Sequence, residues 1–134
     1  MTPGAVDATD LHPKKLDRLR RELERIGQAP RATYAVDWSR GTGDVKGPYD
    51  RILIDAPCSG TGTIRRRPEL ALRRSGGDLN SLAEMQKLIL ELAASLIKPG
   101  GRIGYAVSSI LREEAEDVVS EVSGLAPAAE AFRL

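Results

Sequence analysis

Asp55 and Cys58 stand three residues apart in Asp55-Ala-Pro-Cys-Ser-Gly-Thr-Gly62, and Cys58 is the only thiol of the 134-residue chain. A thiolate forms easily and departs easily, which suits it to covalent nucleophilic catalysis. A carboxylate close by can hold or move a proton. The turn that carries them, with Pro57, Gly60 and Gly62, is tighter and richer in glycine than packing alone requires. The bland alternative is a strand-to-helix loop with an incidental buried cysteine, because free cysteine is among the most buried residue types. Spacing alone leaves both readings open.

Asp10 and Asp37 also follow short runs that read as strands, so three carboxylates stand where strands would end. In open α/β sheets ligands bind at that edge. A single aspartate there often only caps the following helix, but three along one edge point toward a nucleoside-containing ligand. Arg65, Arg66, Arg67, Arg73 and Arg74 crowd the stretch directly after the thiol loop. Such a cluster can hold phosphates beside a reactive site, or it can be a solvated basic surface. His12, the only histidine, reads as a helix-boundary residue, and no set of metal ligands is in sight.

Alternating strands and helices would position these groups. Gly4 to Asp10 reads as a strand with Val6 buried. Pro13 suits the first turn of a helix, whose stripe is Leu16, Leu19, Leu23 and Ile26 and whose stop is Gly27. Ala32 to Val36 is a second strand, residues 39–48 a loop, and Arg51 to Asp55 a third strand. Residues 63–77 read as irregular and basic. The longest helix is expected over about 79–97, capped by Asp78 or Ser81, with Leu82, Met85, Ile89, Leu92 and Leu96 buried and Leu88, Ala93 and Ile97 widening the stripe. Lys98-Pro-Gly-Gly101 should break it, Arg102 to Val107 is a fourth strand, and Glu113 to Val122 a last helix with Val118, Val119 and Val122 inward. The alternation predicts an α/β fold, a mostly parallel sheet with helices on both faces. Residues 1–123 are expected to form one domain and 124–134 a weakly ordered tail.

Composition narrows the setting. One cysteine excludes an intrachain disulfide and a thiolate zinc site, which points to a reducing cytoplasm. No apolar run approaches the ~20 residues that span a bilayer, so no membrane partner is expected. A net charge of +1 argues against a strong global pull toward nucleic acid, leaving any such contact to the local arginines.

The segments Asp55-Ala-Pro-Cys-Ser-Gly-Thr-Gly62 and Ile64-Arg-Arg-Arg-Pro68 resemble motif IV of the AdoMet-dependent RNA cytosine-C5 methyltransferases of the Sun group, nearest to the bacterial 16S rRNA enzymes. The likeness runs from Gly4-x-Val-x-Ala-x-Asp10 and Leu11-His-Pro-Lys-Lys-Leu16 through Asp37, Met85-Gln86, Lys98-Pro-Gly-Gly101, Tyr105-Ala-Val-Ser-Ser-Ile110 and Glu113-Glu114. It implies a class I methyltransferase fold, Rossmann-like, that transfers a methyl group from S-adenosyl-L-methionine to cytosine C5 of RNA, expected to be rRNA. On the resemblance, Asp10 matches the acid that binds the AdoMet ribose and Asp37 the acid at the adenine. Asp55 matches the motif IV acid, near the methionine end of AdoMet and the target base. Cys58 matches the cysteine that assists product release, and Arg65, Arg66 and Arg67 match a basic segment near the RNA.

Two departures shape the expectation. The family nucleophile is a second cysteine in a Tyr-Ala-Thr-Cys-Ser pattern, where this chain has Tyr105-Ala-Val-Ser108-Ser109. A serine without a dedicated base is a weak nucleophile, which leaves Cys58 as the thiol that could add to cytosine. The glycine-rich Pro-Gly-Gly-Lys loop of motif I does not occur here, so the expectation is a partial fold lacking the first strand and the C-terminal strands. Weak or absent AdoMet binding by the chain alone is predicted with it. A homodimer through the missing central strand is a further expectation. The alternative is a catalytically inactive RNA-binding or protein-interaction module derived from the same family.

Overall fold

The computed structural model describes residues 4–66 and 76–128. The chain divides into two compact units, Met1–Lys46 and Gly47–Leu134.

In the first unit, β1 (Asp7–Asp10) and β2 (Ala32–Ala35) pair in parallel, from Asp7 opposite Ala32 to Asp10 opposite Ala35. Parallel neighbours need a crossover, and α1 (Pro13–Arg25) supplies it, opening on Pro13 as its sequence requires. Leu16 is the buried contact of α1, while Leu19 and Leu23 are half-buried. Ile26 does not join them. It is the C-terminal cap and 65% exposed, because Gly27 at φ 70° turns the chain away. Val6 also departs from expectation: β1 begins one residue later and Val6 is exposed, although its carbonyl accepts from Arg31 N at 2.8 Å. Val36 and Val45 complete the buried apolar set of this unit.

In the second unit, β3 (Tyr49–Asp55) and β4 (Ile97–Ala106) pair in parallel, connected through α2 (Gly76–Leu96), and α3 (Glu116–Glu121) follows β4. The core is Ile54, Ala56, Leu90, Ala93, Val118 and Val122, with Ile52, Ile103 and Tyr105 packed against it. These residues alternate along the strands, so one face of the pair carries the helices. On the alternate face Leu53 is 82% exposed.

Three details differ from the sequence reading. Ala93 is buried as expected, but the other buried positions of α2 are Gln86 and Leu90, while Leu82, Met85, Ile89, Leu92 and Leu96 are half-buried. Apolar residues surround much of this helix, so periodicity did not select a face. Ser81 lies inside the helix, its hydroxyl donating to Gly77 O at 3.1 Å, and is no cap. Lys98-Pro-Gly-Gly101 is part of β4 rather than a loop before it. The register jumps from Tyr49 opposite Ile97 to Arg51 opposite Arg102, so the segment is a bulge. Proline lacks the N–H a ladder needs, and Gly100 takes φ 77°, so a bulge is where both fit. Among the described residues no helix is long and apolar enough to cross a membrane. The expected tail, 124–134, lies mostly outside the described residues.

Candidate active site

The edge beyond β3 and β4 is built by two loops that follow those strands. Ala56 N donates to Ala106 O at 3.0 Å, carrying the ladder one step past Asp55. The chain then turns through Pro57, whose carbonyl accepts from Gln86 Nε2 at 2.8 Å. Gly60 takes the left-handed conformation at φ 72°, starting a single 3-10 turn over Thr61–Thr63. Gly62 N donates to Ser108 O at 3.1 Å, and a Cβ at Gly62 would stand 3.2 Å from that same oxygen. Glycine at this position therefore lets the two loops touch. Where they meet, Ser108 N donates to Cys58 Sγ at 3.2 Å, with Cys58 only partly exposed.

Beneath this contact lies a carboxylate that reaches both loops. Glu114, whose residue exposure is 0%, accepts from Ser59 N on Oε1 at 2.7 Å and from the Ser59 hydroxyl on Oε2. The Ser109 hydroxyl donates to Oε2 at 2.5 Å, and Gln86 Nε2 donates to Oε1 at 3.1 Å. Burial pushes the Glu114 carboxyl up, but the hydroxyls of Ser109 and Ser59, the Ser59 amide and Gln86 outweigh it and hold it below the usual range. Glu114 is thus an ionised, saturated buried carboxylate, the form in which burial is tolerated. Tyr105 donates to Glu114 O at 3.0 Å. Burial first, then the charges of Cys58 and Glu114, push its phenol well up, so it stays protonated.

The other candidate acids lie in the first unit. Asp10 ends β1 and Asp37 lies just past β2, neighbouring parallel strands tied by Val36 N donating to Asp10 O at 3.0 Å. Asp10 accepts from His12 N at 2.8 Å and stands 3.4 Å from Lys15 Nζ. The His12 amide leads in lowering its carboxyl, against a smaller opposing effect of burial. Asp37 accepts from the Ser39 amide at 3.0 Å and the Ser39 hydroxyl at 2.5 Å, and that hydroxyl leads in lowering it. Both are carboxylates at neutral pH, a charge state fit to accept from ribose hydroxyls or an adenine amino group. Asp55 is exposed at the end of β3, as are Arg65 and Arg66 after the thiol loop. Arg67, Arg73 and Arg74 lie outside the described residues. No group of side chains fit to hold a metal ion occurs among the described residues.

The structure therefore brings Cys58 to Ser108 in one unit and Asp10 to Asp37 in the other. The sequence profile of the 16S rRNA methyltransferase RsmB/F family matches residues 1–131. The chain belongs to this family. It is 38% identical over 118 residues to ribosomal RNA small subunit methyltransferase B of Shewanella oneidensis, a match that takes in 84% of this chain and 26% of that protein. The chain thus spans about a quarter of the length of such RsmB/F relatives. Among solved structures, PH0851 superposes with a TM-score of 0.79 at 31% identity, over 93% of this chain and 28% of that one. NSun6 from Pyrococcus horikoshii, solved with SFG, superposes with a TM-score of 0.73 at 25% identity, over 87% of this chain and 29% of that one. The α/β fold with short parallel sheets is the methyltransferase fold of these neighbours, truncated relative to the full-length proteins.

Sequence reasoning passed over Ser59, Gln86, Ser109 and Glu114 as site residues. One signal was present: Gln86 shares a helical face with Leu90 and Ala93, and a lone amide on an apolar face implies a buried polar partner.

Proposed function

We propose that this chain is the portion of an AdoMet-dependent rRNA cytosine-C5 methyltransferase that holds the cofactor's ribose and adenine and the reacting pyrimidine. Asp10 and Asp37 accept hydrogen bonds from the nucleoside part of AdoMet. AdoMet, when bound, supplies an electrophilic methyl group. Cytosine C5 attacks poorly until a thiolate adds to C6 and makes C5 enamine-like. Cys58 is the thiol for that addition, and Asp55 stabilises the proton that addition brings to N3. After methylation a base removes the C5 proton and the sulfur leaves. Exposed Arg65 and Arg66, continued by Arg67, Arg73 and Arg74, hold RNA phosphates.

The observation that carries this reading is the donation from Ser108 N to Cys58 Sγ at 3.2 Å. It supports the reading because the only thiol lies beside Ser108, the residue standing where the family pattern has its nucleophile, with an N–H aimed at the sulfur. Residues 1–123 are the catalytic portion in this reading, acting in the cytoplasm on ribosomal RNA. AdoMet binding by these 134 residues alone is weak in this reading, and size-exclusion mass measurement decides whether the chain forms a homodimer.

Calorimetric titration with AdoMet followed by methyl transfer to rRNA tests the proposal. Loss of transfer in Cys58→Ala is the expected result, and undiminished transfer by that variant overturns the role given to Cys58. The serine at the nucleophile position favours one other reading, an RNA-binding module without chemistry. Salt-sensitive RNA binding with no transfer, even in Ser108→Cys, would support that one instead.

A further inference from the structure

Cys58 and Ser108 belong to different loops, 50 residues apart in sequence, and nothing covalent fixes their distance. Besides the Gly62 N–H donated to Ser108 O at 3.1 Å, the ties that hold it lie one residue beyond each. Ser59, next to Cys58, gives both its amide and its hydroxyl to Glu114, and Ser109, next to Ser108, gives its hydroxyl to the same carboxylate. Gln86 adds a third tie, donating to Glu114 and to Pro57 O on the near side of Cys58. The Ser59 and Ser109 hydroxyls are also 3.3 Å apart, and Thr61 Oγ1 lies 2.9 Å from Ser109 Oγ. Glu114 itself sits on the 3-10 turn Arg112–Glu114, held by Tyr105 through its carbonyl.

We propose that Glu114 is the positioning residue of this site. By holding the neighbours of Cys58 and of Ser108 on one carboxylate, it keeps the Ser108 N–H against the Cys58 sulfur and so sets how readily that thiol reacts. Glu114 touches neither the sulfur nor a substrate and acts through the serines. The inference rests on Cys58 being the reactive thiol of the proposed methyl transfer. Its geometry is independent of AdoMet and RNA, so the clamp can fail while the function stands, and the reverse.

The sign of the effect separates positioning from simple electrostatics. As a mere nearby negative charge, Glu114 would disfavour the thiolate, and removing it would make Cys58 react at lower pH. As a clamp it favours the thiolate through the Ser108 N–H, and removing it would make Cys58 react at higher pH. The test is the rate of iodoacetamide alkylation of the single cysteine against pH, in the full chain and in Glu114→Gln, without AdoMet or RNA. The expected result is a midpoint moved upward by about one pH unit, the scale of one lost hydrogen bond to a charged group. Ser109→Ala removes one tie at less risk to folding and should move the midpoint the same way by less. Glu113→Gln, an exposed neighbour, should leave it in place. A midpoint unchanged or lowered in Glu114→Gln, with circular dichroism intact, overturns the proposal. If Glu114→Gln does not fold, Ser109→Ala decides alone: upward supports the clamp, unchanged or downward overturns it. Methyl-transfer assays then address the function separately.

Discussion

Glu114 keeps its charge out of water because two hydroxyls, one amide N–H and one carboxamide N–H donate to its carboxylate. A carboxyl held below its ordinary 4.5 by folding stabilises the fold above that value, and the contribution disappears as pH falls through the lowered one. The stability gap between the parent chain and Glu114→Gln should therefore be widest at neutral pH, about 1–3 kcal/mol, and should close in acid. Urea titrations at pH 7 and at pH 3 measure it, and a gap that widens in acid would contradict the ionised hub. Asp55 and Cys58 drew notice because strand-end acids and thiols announce their own chemistry, and Ser108 only through the family pattern in which it stands. Glu114 was not, since in Glu113-Glu114 nothing local says which glutamate turns inward. That choice is made by Ser59 and Gln86, 55 and 28 residues away.

At the scale of elements, close backbone approach sets the tolerances. An ideal Cβ on Gly47 would lie 2.6 Å from Leu96 O, where α2 passes into β4. Backbone cannot swing aside as a side chain can, so Gly47→Ala should destabilise the second unit by about 1–3 kcal/mol. Gly4→Ala, which meets nothing within 4 Å, is the control. Equal denaturation midpoints for the two variants would rule the contact out. The same junction explains what the sequence obscured. Strand-forming runs and the Pro13 helix start were readable from local chemistry, whereas Lys98-Pro-Gly-Gly101 looked like a break. Only its partner strand shows it to be a bulge, because the jump opposite Tyr49 and Arg51 is a pairing property. The buried face of α2 was hidden for a related reason, since Leu82, Met85 and Ile89 are as apolar as Leu90 and only the sheet chooses among them.

For the molecule as a whole, burial and ligand contact divide along different lines. Leu53 is as apolar as Leu90, yet one is 82% exposed and the other 1%. Leu90→Ala should cost about 2–5 kcal/mol and Leu53→Gln no more than about 0.5 kcal/mol, read from urea midpoints of the full chain. A large loss from Leu53→Gln would mean that its face is covered in solution. The ligand line is sharper. The acids proposed for the nucleoside, Asp10 and Asp37, belong to Met1–Lys46, and Asp55 and Cys58 belong to Gly47–Leu134. Removing one charged hydrogen-bonding partner is worth about 1.5–3 kcal/mol, which is roughly tenfold or more in affinity. Asp10→Ala should accordingly raise the AdoMet concentration at half-saturation, read by calorimetry, by at least about tenfold. An AdoMet half-saturation point unmoved in Asp10→Ala would mean that the cofactor is held without its proposed ribose acid.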